Sequence, residues 1–196
     1  MQKRAKIGGQ NRGKQPGRKR PFDQEHVQLI RATLKARGET KKLALFETGL
    51  CTMLRAGDLL RLTVSDVQYN GKFNDSFEII QEKTGERVTL TLSAACKEAL
   101  GKYITEFEMR PAESLWPMSR MRYSQIVKEW AVIAGLDPQF YSTHSMRRTT
   151  AAHVYKQTNN YAAVRHLLGH TNLMHTAAYL GVEEDDAHAL KKLHEM

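Results

Sequence analysis

Apolar residues recur at helical spacing over most of the chain and switch to alternation over one stretch of about thirty residues. In FDQEHVQLIRATLKARGE, Val27, Ile30 and Leu34 fall on one helical face, Asp23 is placed to cap the start, and Gly38 supplies a stop. TKKLALFETGLCTMLRAGDLLRLTV predicts a helix, an interruption at Gly49, and a second short helix over about 56–62. From Val64 to Leu92 the pattern becomes β-rich. VSDVQYNGKF and DSFEIIQEKTGERVTLTLS carry Asn-Gly and Thr-Gly, both strong turn signals. They predict a small antiparallel sheet with Lys83-Thr84-Gly85-Glu86 at the turn between its last two strands.

Helical spacing then returns. SAACKEALGKYITEF reads as a helix, and YSQIVKEWAVIAG places Ile126, Trp130, Ile133 and Ala134 on one face before Gly135. Ser142 or Thr143 can cap a helix beginning at His144, and a further helix covers about 161–168. Thr171 can cap the segment bearing Tyr179. A last helix over about 183–195 has acids in its first turn and lysines near its end, which suits the helix dipole. The fold class is α+β, mainly α-helical, with one small antiparallel sheet and no internal repeat.

Composition narrows the class. With 41% hydrophobic and 26% charged residues the chain is an ordinary globular one, and no apolar run approaches the roughly 20 residues that span a bilayer. The basic N-terminus is followed by no apolar stretch, so it does not read as a secretory signal. Cys51 and Cys96 stand far apart with no CxxC spacing, which fits reduced thiols in a cytoplasmic protein. The net charge of +9 is unevenly placed. Lys3, Arg4, Lys6, Arg12, Lys14, Arg18, Lys19 and Arg20 fall in residues 1–20 with no acid, so the rest carries 22 basic against 21 acidic residues. The expected organisation is a flexible basic arm over 1–20, too poor in apolar residues to fold by itself, attached to one domain over 21–196. A polyanion, most simply DNA or RNA, is the partner such an arm suits.

Four separated islands hold the candidate chemistry. In MLRAGDLLRL, Arg55 opens a helix and Asp58 follows three residues on. In QEKTGER, Lys83 sits at a hairpin turn. In STHSMRRT, His144 and Arg147 are one helical turn apart and share a face. GHTNLMHTAAY holds His170 and, nine residues on, Tyr179. Each island alone is commonplace: an Arg-x-x-Asp pair is usually a surface ion pair, and a turn lysine is usually just solvated. His166 and His170 at i, i+4, with His153 and His175 nearby, lack the HExxH glutamate or clustered thiols of a zinc site. No glycine-rich phosphate loop is present either, so no metal or cofactor is expected.

Taken together, the order and spacing of the islands resemble the tyrosine recombinase or phage integrase family, over about Phe22 to Leu180. TGLCTMLRAGDLLRLTVSDV resembles the family's first-arginine helix and EKTGERVTLTL its lysine hairpin. THSMRRTTAAHV is similar to its His-x-x-Arg helix, and HLLGHTNLMHTAAY to its LGH…Y segment. The resemblance implies six catalytic residues: Arg55, Lys83, His144, Arg147, His170 and Tyr179. Arg55 and Arg147 would grip the non-bridging oxygens of a DNA phosphodiester, since guanidinium groups are permanently charged and fork-shaped. Tyr179 would attack phosphorus and leave a 3′-phosphotyrosine that stores the bond for rejoining without ATP. A free phenol has a pKa of about 10, so surrounding cations must favour its ionised form. His144 would either assist that deprotonation or hold a phosphate oxygen. His170 would donate to the same phosphate. Lys83 is the candidate that the resemblance offers for the general acid, with Arg87 or Lys72 also able to approach.

About twenty residues precede the folded part, and in this the chain resembles the short recombinases that invert bacterial promoter segments and have no separate N-terminal DNA-binding domain. The expected partners are double-stranded DNA and further copies of the chain, as a tetramer on paired sites. The C-terminal helix could dock in trans on a neighbouring subunit, and an accessory DNA-bending or DNA-binding protein would fit the same assembly. The expected location is the cytoplasm, at the nucleoid, without a membrane partner. Two rival functions keep the fold: a DNA-binding accessory protein or regulator that does no chemistry, and a type IB topoisomerase-like enzyme that relaxes supercoils.

Overall fold

The structure, a computed structural model, describes residues 19–168. The elements run α1 (Gln24–Ala36), α2 (Thr40–Thr52), α3 (Ala56–Leu60), α4 (Val64–Val67), β1 (Gln68–Tyr69), β2 (Lys72–Phe73), β3 (Ser76–Ile80), β4 (Arg87–Thr91), α5 (Ala94–Glu106), α6 (Arg120–Ile133), α7 (Thr143–Thr158) and α8 (Tyr161–Leu168). Pro138–Phe140 forms a 3-10 turn between α6 and α7.

α2 is the central element, and its composition shows why. Leu43, Ala44, Leu45, Phe46, Thr48, Gly49 and Leu50 are all buried, so it is apolar around most of its circumference and must be covered on several sides. It packs against α1, α5 and α7. Around it lie the largest buried side chains, Trp116, Trp130, Tyr103 and Tyr123. Tyr103 stacks on Trp116 with centroids 5.5 Å apart, and Phe46 meets Trp130 edge-on at 5.0 Å. Each such buried ring stabilises the fold by about 1.5–3 kcal/mol relative to an exposed one. The one deeply buried acid on α2, Glu47, is held by a fork from Arg31 of α1, Nε at 2.5 Å and Nη2 at 3.0 Å.

Caps fall where side-chain chemistry calls for them. Asp23 caps α1, Ser93 accepts from the Cys96 N–H at the start of α5, and Ser142 accepts from the His144 N–H at the start of α7. Gly38 takes φ +64° just beyond α1.

Three sequence-based expectations change. Gly49 does not interrupt a helix. α2 runs through it, and an added Cβ there would come within 2.9 Å of the Tyr123 hydroxyl, so this glycine serves close packing between α2 and α6. The chain breaks later, at Met53, which takes φ +50°. Val64–Val67 is a helical turn rather than strand, because Thr63 and Asp66 form a reciprocal capping box that outweighs the β-propensity of the valines. The single expected sheet is two separate antiparallel hairpins, β1–β2 and β3–β4. In the second, Ser76 faces Thr91 and Ile80 faces Arg87, which leaves Lys83 in the connecting turn. Cys51 and Cys96 are free thiols. Among the described residues no helix is long and apolar enough to cross a membrane.

Candidate active site

Four of the six sequence-derived catalytic candidates lie in the described part, on three elements that converge at one end of α2. The α2–α3 connection carries Arg55, which is half-buried in an extended conformation at the start of α3. Its Nη1 donates to Oε1 of Gln81, at the base of the β3–β4 turn. Lys83 sits in that turn, exposed. The turn is closed by the Gly85 N–H donating to the Gln81 carbonyl at 2.9 Å, with Gly85 at φ +69°.

Asp58 is not the surface ion pair that its spacing from Arg55 suggests. It is 2% exposed, and its Oδ1 accepts from Arg61 Nη2 at 2.8 Å and from the Glu82 N–H at 2.8 Å. It therefore ties α3 to the base of the Lys83 turn. Two more bonds reinforce that tie. Arg61 Nη2 donates to the Ile80 carbonyl at 3.1 Å, and Glu82 pairs with Arg120 at 2.7 Å. That last pair lies directly over Gly57, where a Cβ would come within 2.5 Å of Arg120 Nη2.

α7 supplies the other two groups. Ser142 and Ser145 form a capping box, which places His144 at the second position of the helix, in its positive N-terminal turn. Arg147 lies one turn on and is buried. Its Nη1 donates to the Met53 carbonyl at 2.6 Å and its Nη2 to the Leu168 carbonyl. The second arginine thus joins the end of α2 to the end of α8. A small apolar cluster of Met53, Ala151, Val164 and Leu168 packs the same three elements together. Next to Arg147 opens a cavity of about 460 Å³, bordered by Met53, Gln81, Arg87 and Arg165.

The His144 pKa is held below its ordinary value, first by partial desolvation and then by the positive charges of Arg148, Arg147, Arg55 and Lys83. Three of these four are candidates named from sequence, and Arg148 joins them. Lys72 lies on the β1–β2 hairpin, and Arg87 is paired with Glu78 at 2.9 Å. His170, Tyr179, Lys3, Arg4, Lys6, Arg12, Lys14, Arg18 and the C-terminal helix over about 183–195 lie outside the described residues. Of the basic arm, Lys19 donates to the Gln139 carbonyl at 2.6 Å, and the Arg20 guanidinium lies 4.4 Å from the centre of the Phe140 ring.

Gln81, Met53 and Arg148 were not singled out by spacing. For Gln81 a signal existed: Phe77, Ile79 and Gln81 alternate along one face, so a polar residue occupies an inward position.

The mainly helical fold that brings the Lys83 hairpin, the Arg55 connection and α7 to one end of α2 is shared with solved recombinase structures. XerH recombinase, in a structure of a post-cleavage complex bound to palindromic difH substrate, has TM-score 0.69 and 18% identity, covering 97% of this chain and 57% of that one. A lambda integrase dimer bound to a COC' core site has TM-score 0.63 and 20% identity, covering 83% and 59%. In sequence, the chain is 28% identical to the probable integrase/recombinase YoeC of Bacillus subtilis (strain 168) over 154 residues, 76% of this chain and 82% of YoeC. It is also 28% identical to the tyrosine recombinase XerD of Rhizobium meliloti (strain 1021) over 160 residues, 77% of this chain but 50% of that protein. The phage integrase family model matches residues 20–185, and the chain belongs to that family.

Proposed function

We propose that the protein is a site-specific DNA recombinase that cuts and rejoins strands through a 3′-phosphotyrosine at Tyr179. The observation that carries this reading is that Arg55, the Lys83 turn and Arg147 meet at one end of α2, Arg55 joined to the turn through Gln81 and Arg147 held on the Met53 carbonyl. A phosphodiester seated there would take charge-assisted hydrogen bonds from the guanidinium groups.

In this reading Arg55 and Arg147 neutralise charge on the non-bridging oxygens, the task a divalent cation performs in other nucleases. Arg147 would leave one of its backbone carbonyls for the phosphate as DNA seats. Tyr179 attacks phosphorus, the P–O5′ bond breaks, and Lys83 gives its proton to the departing 5′ oxygen. His144, whose lowered pKa favours the neutral form, accepts the phenol proton or bonds a phosphate oxygen. His170 donates to the same phosphate. A 5′ hydroxyl from a second strand then reverses the step. The basic arm would track the DNA backbone and make affinity fall with salt. Copies of the chain would assemble on paired sites, and the C-terminal helix would dock on a neighbour.

The test uses a supercoiled plasmid bearing two copies of the DNA that flanks the coding sequence. Exchange between the copies is the expected result. Relaxation of a plasmid without those copies would instead indicate a topoisomerase-like enzyme, and binding without either product a regulator.

A further inference from the structure

We infer that Gln81 is a positioning residue whose carboxamide oxygen holds Arg55 and the Lys83 turn in a fixed relation to each other. The inference rests on the reading of the site as a phosphodiester-cleaving centre. Gln81 is 2% exposed although it stands at the foot of a solvent-exposed turn. Its Oε1 accepts from Arg55 Nη1 and from the Thr84 hydroxyl, the latter at 3.0 Å. A carboxamide oxygen has two lone pairs, so both donors can be served by that one atom.

The backbone of the same residue closes the turn. Its N–H donates to the Glu86 carbonyl at 2.9 Å, and its carbonyl accepts from the Gly85 N–H at 2.9 Å. Thr84 is the direct neighbour of Lys83. One side chain therefore links the arginine of the α2–α3 connection to the loop that bears the lysine, two groups 28 positions apart in sequence.

The choice of glutamine over glutamate has a physical reason. A carboxylate in this place would form a charged fork with Arg55 and satisfy the charge that a phosphate needs. An apolar side chain would leave the guanidinium to swing among its rotamers. The neutral acceptor orients Arg55 while leaving its charge uncompensated.

The experiment takes the full chain labelled with ¹⁵N-arginine and reads the guanidinium signals at low temperature, the Arg55 signal being the one lost in Arg55→Lys. The hindered Nη–H signal of Arg55 should disappear in Gln81→Met and persist in Gln81→Glu, which keeps the acceptor. Survival in Gln81→Met, or loss in both variants, would overturn the inference. On nicked flanking duplexes, Gln81→Met should slow covalent adduct formation about 100-fold, the scale of a misplaced catalytic group, with the half-saturating duplex concentration unchanged. Gln81→Glu should raise that concentration instead. If Gln81 acts through Arg55, the double variant with Arg55→Ala should be no slower than Arg55→Ala alone, whereas losses that multiply would contradict it. An adduct that also forms with Tyr179→Phe would sink the phosphotyrosine reading, and the guanidinium spectra would still decide whether Gln81 holds Arg55.

Discussion

Removing the Asp58 carboxylate should unfasten the Lys83 hairpin from α3. The buried Oδ1 accepts two bonds of 2.8 Å, one from the Glu82 N–H and one from Arg61. Asp58→Ala deprives the Glu82 N–H of its acceptor, a loss of about 1.5–3 kcal/mol for a hydrogen bond to a charged group. Arg61 is 54% exposed, so its pair with Asp58 adds under about 1 kcal/mol after solvent screening. Releasing the carboxylate from a buried site returns part of that total. The net expectation is a destabilisation of about 2–3 kcal/mol, or about 5–10 °C in Tm for a chain of this size. Asp58→Asn keeps an oxygen acceptor for the Glu82 N–H and loses only the charge, about 1 kcal/mol. The assay is urea unfolding of the three proteins together with hydrogen exchange at the Glu82 amide, which should quicken in Asp58→Ala and stay slow in Asp58→Asn. Equal losses in the two variants, or an unchanged Glu82 amide in Asp58→Ala, would refute the anchoring role.

Two further expectations come from charge. Arg31→Met leaves Glu47, whose side chain is 5% exposed, without its fork and should cost about 2–4 kcal/mol in urea unfolding, while the Arg31→Met, Glu47→Gln double variant should recover part of it; a double variant worse than the single one would contradict this. The His144 pKa is lowered in the folded chain by desolvation first and cationic neighbours second, so the unfolded chain takes up its proton first as pH falls. Stability should then drop as pH passes down through the ordinary histidine value of about 6.5, and His144→Gln should lessen that drop. Unfolding free energies at pH 7.5 and pH 5 test it, and a wild-type advantage that grows at pH 5 would have the wrong sign.

How legible these features were in sequence depended on whether local rules and tertiary packing agreed. The α1 stripe of Val27, Ile30 and Leu34, the Ser142 cap and the 161–168 helix follow local periodicity and capping, and they appear where expected. Lys83 at a hairpin turn followed from Thr-Gly flanked by alternating residues. Gly49 misled because a glycine in a helical pattern reads as a break, whereas its use is to admit the Tyr123 hydroxyl from another helix. The Val64–Val67 turn was hidden because two valines suggest strand, and the Thr63–Asp66 box decided otherwise. Asp58 and Gln81 were hardest to see. Their partners, Glu82 and Arg55, lie 24 and 26 positions away, a separation that pattern reasoning does not reach.

Attack by Tyr179 on DNA would leave a covalent product that can be isolated. Duplexes from the flanking genome, each nicked so that the released fragment diffuses away, are incubated with the protein in EDTA, and the products are resolved in SDS. A protein–DNA adduct that maps by mass spectrometry to phosphotyrosine at position 179, and is absent with Tyr179→Phe, is the predicted result. An adduct that persists in Tyr179→Phe, or clear DNA binding with no adduct on any duplex, would contradict it.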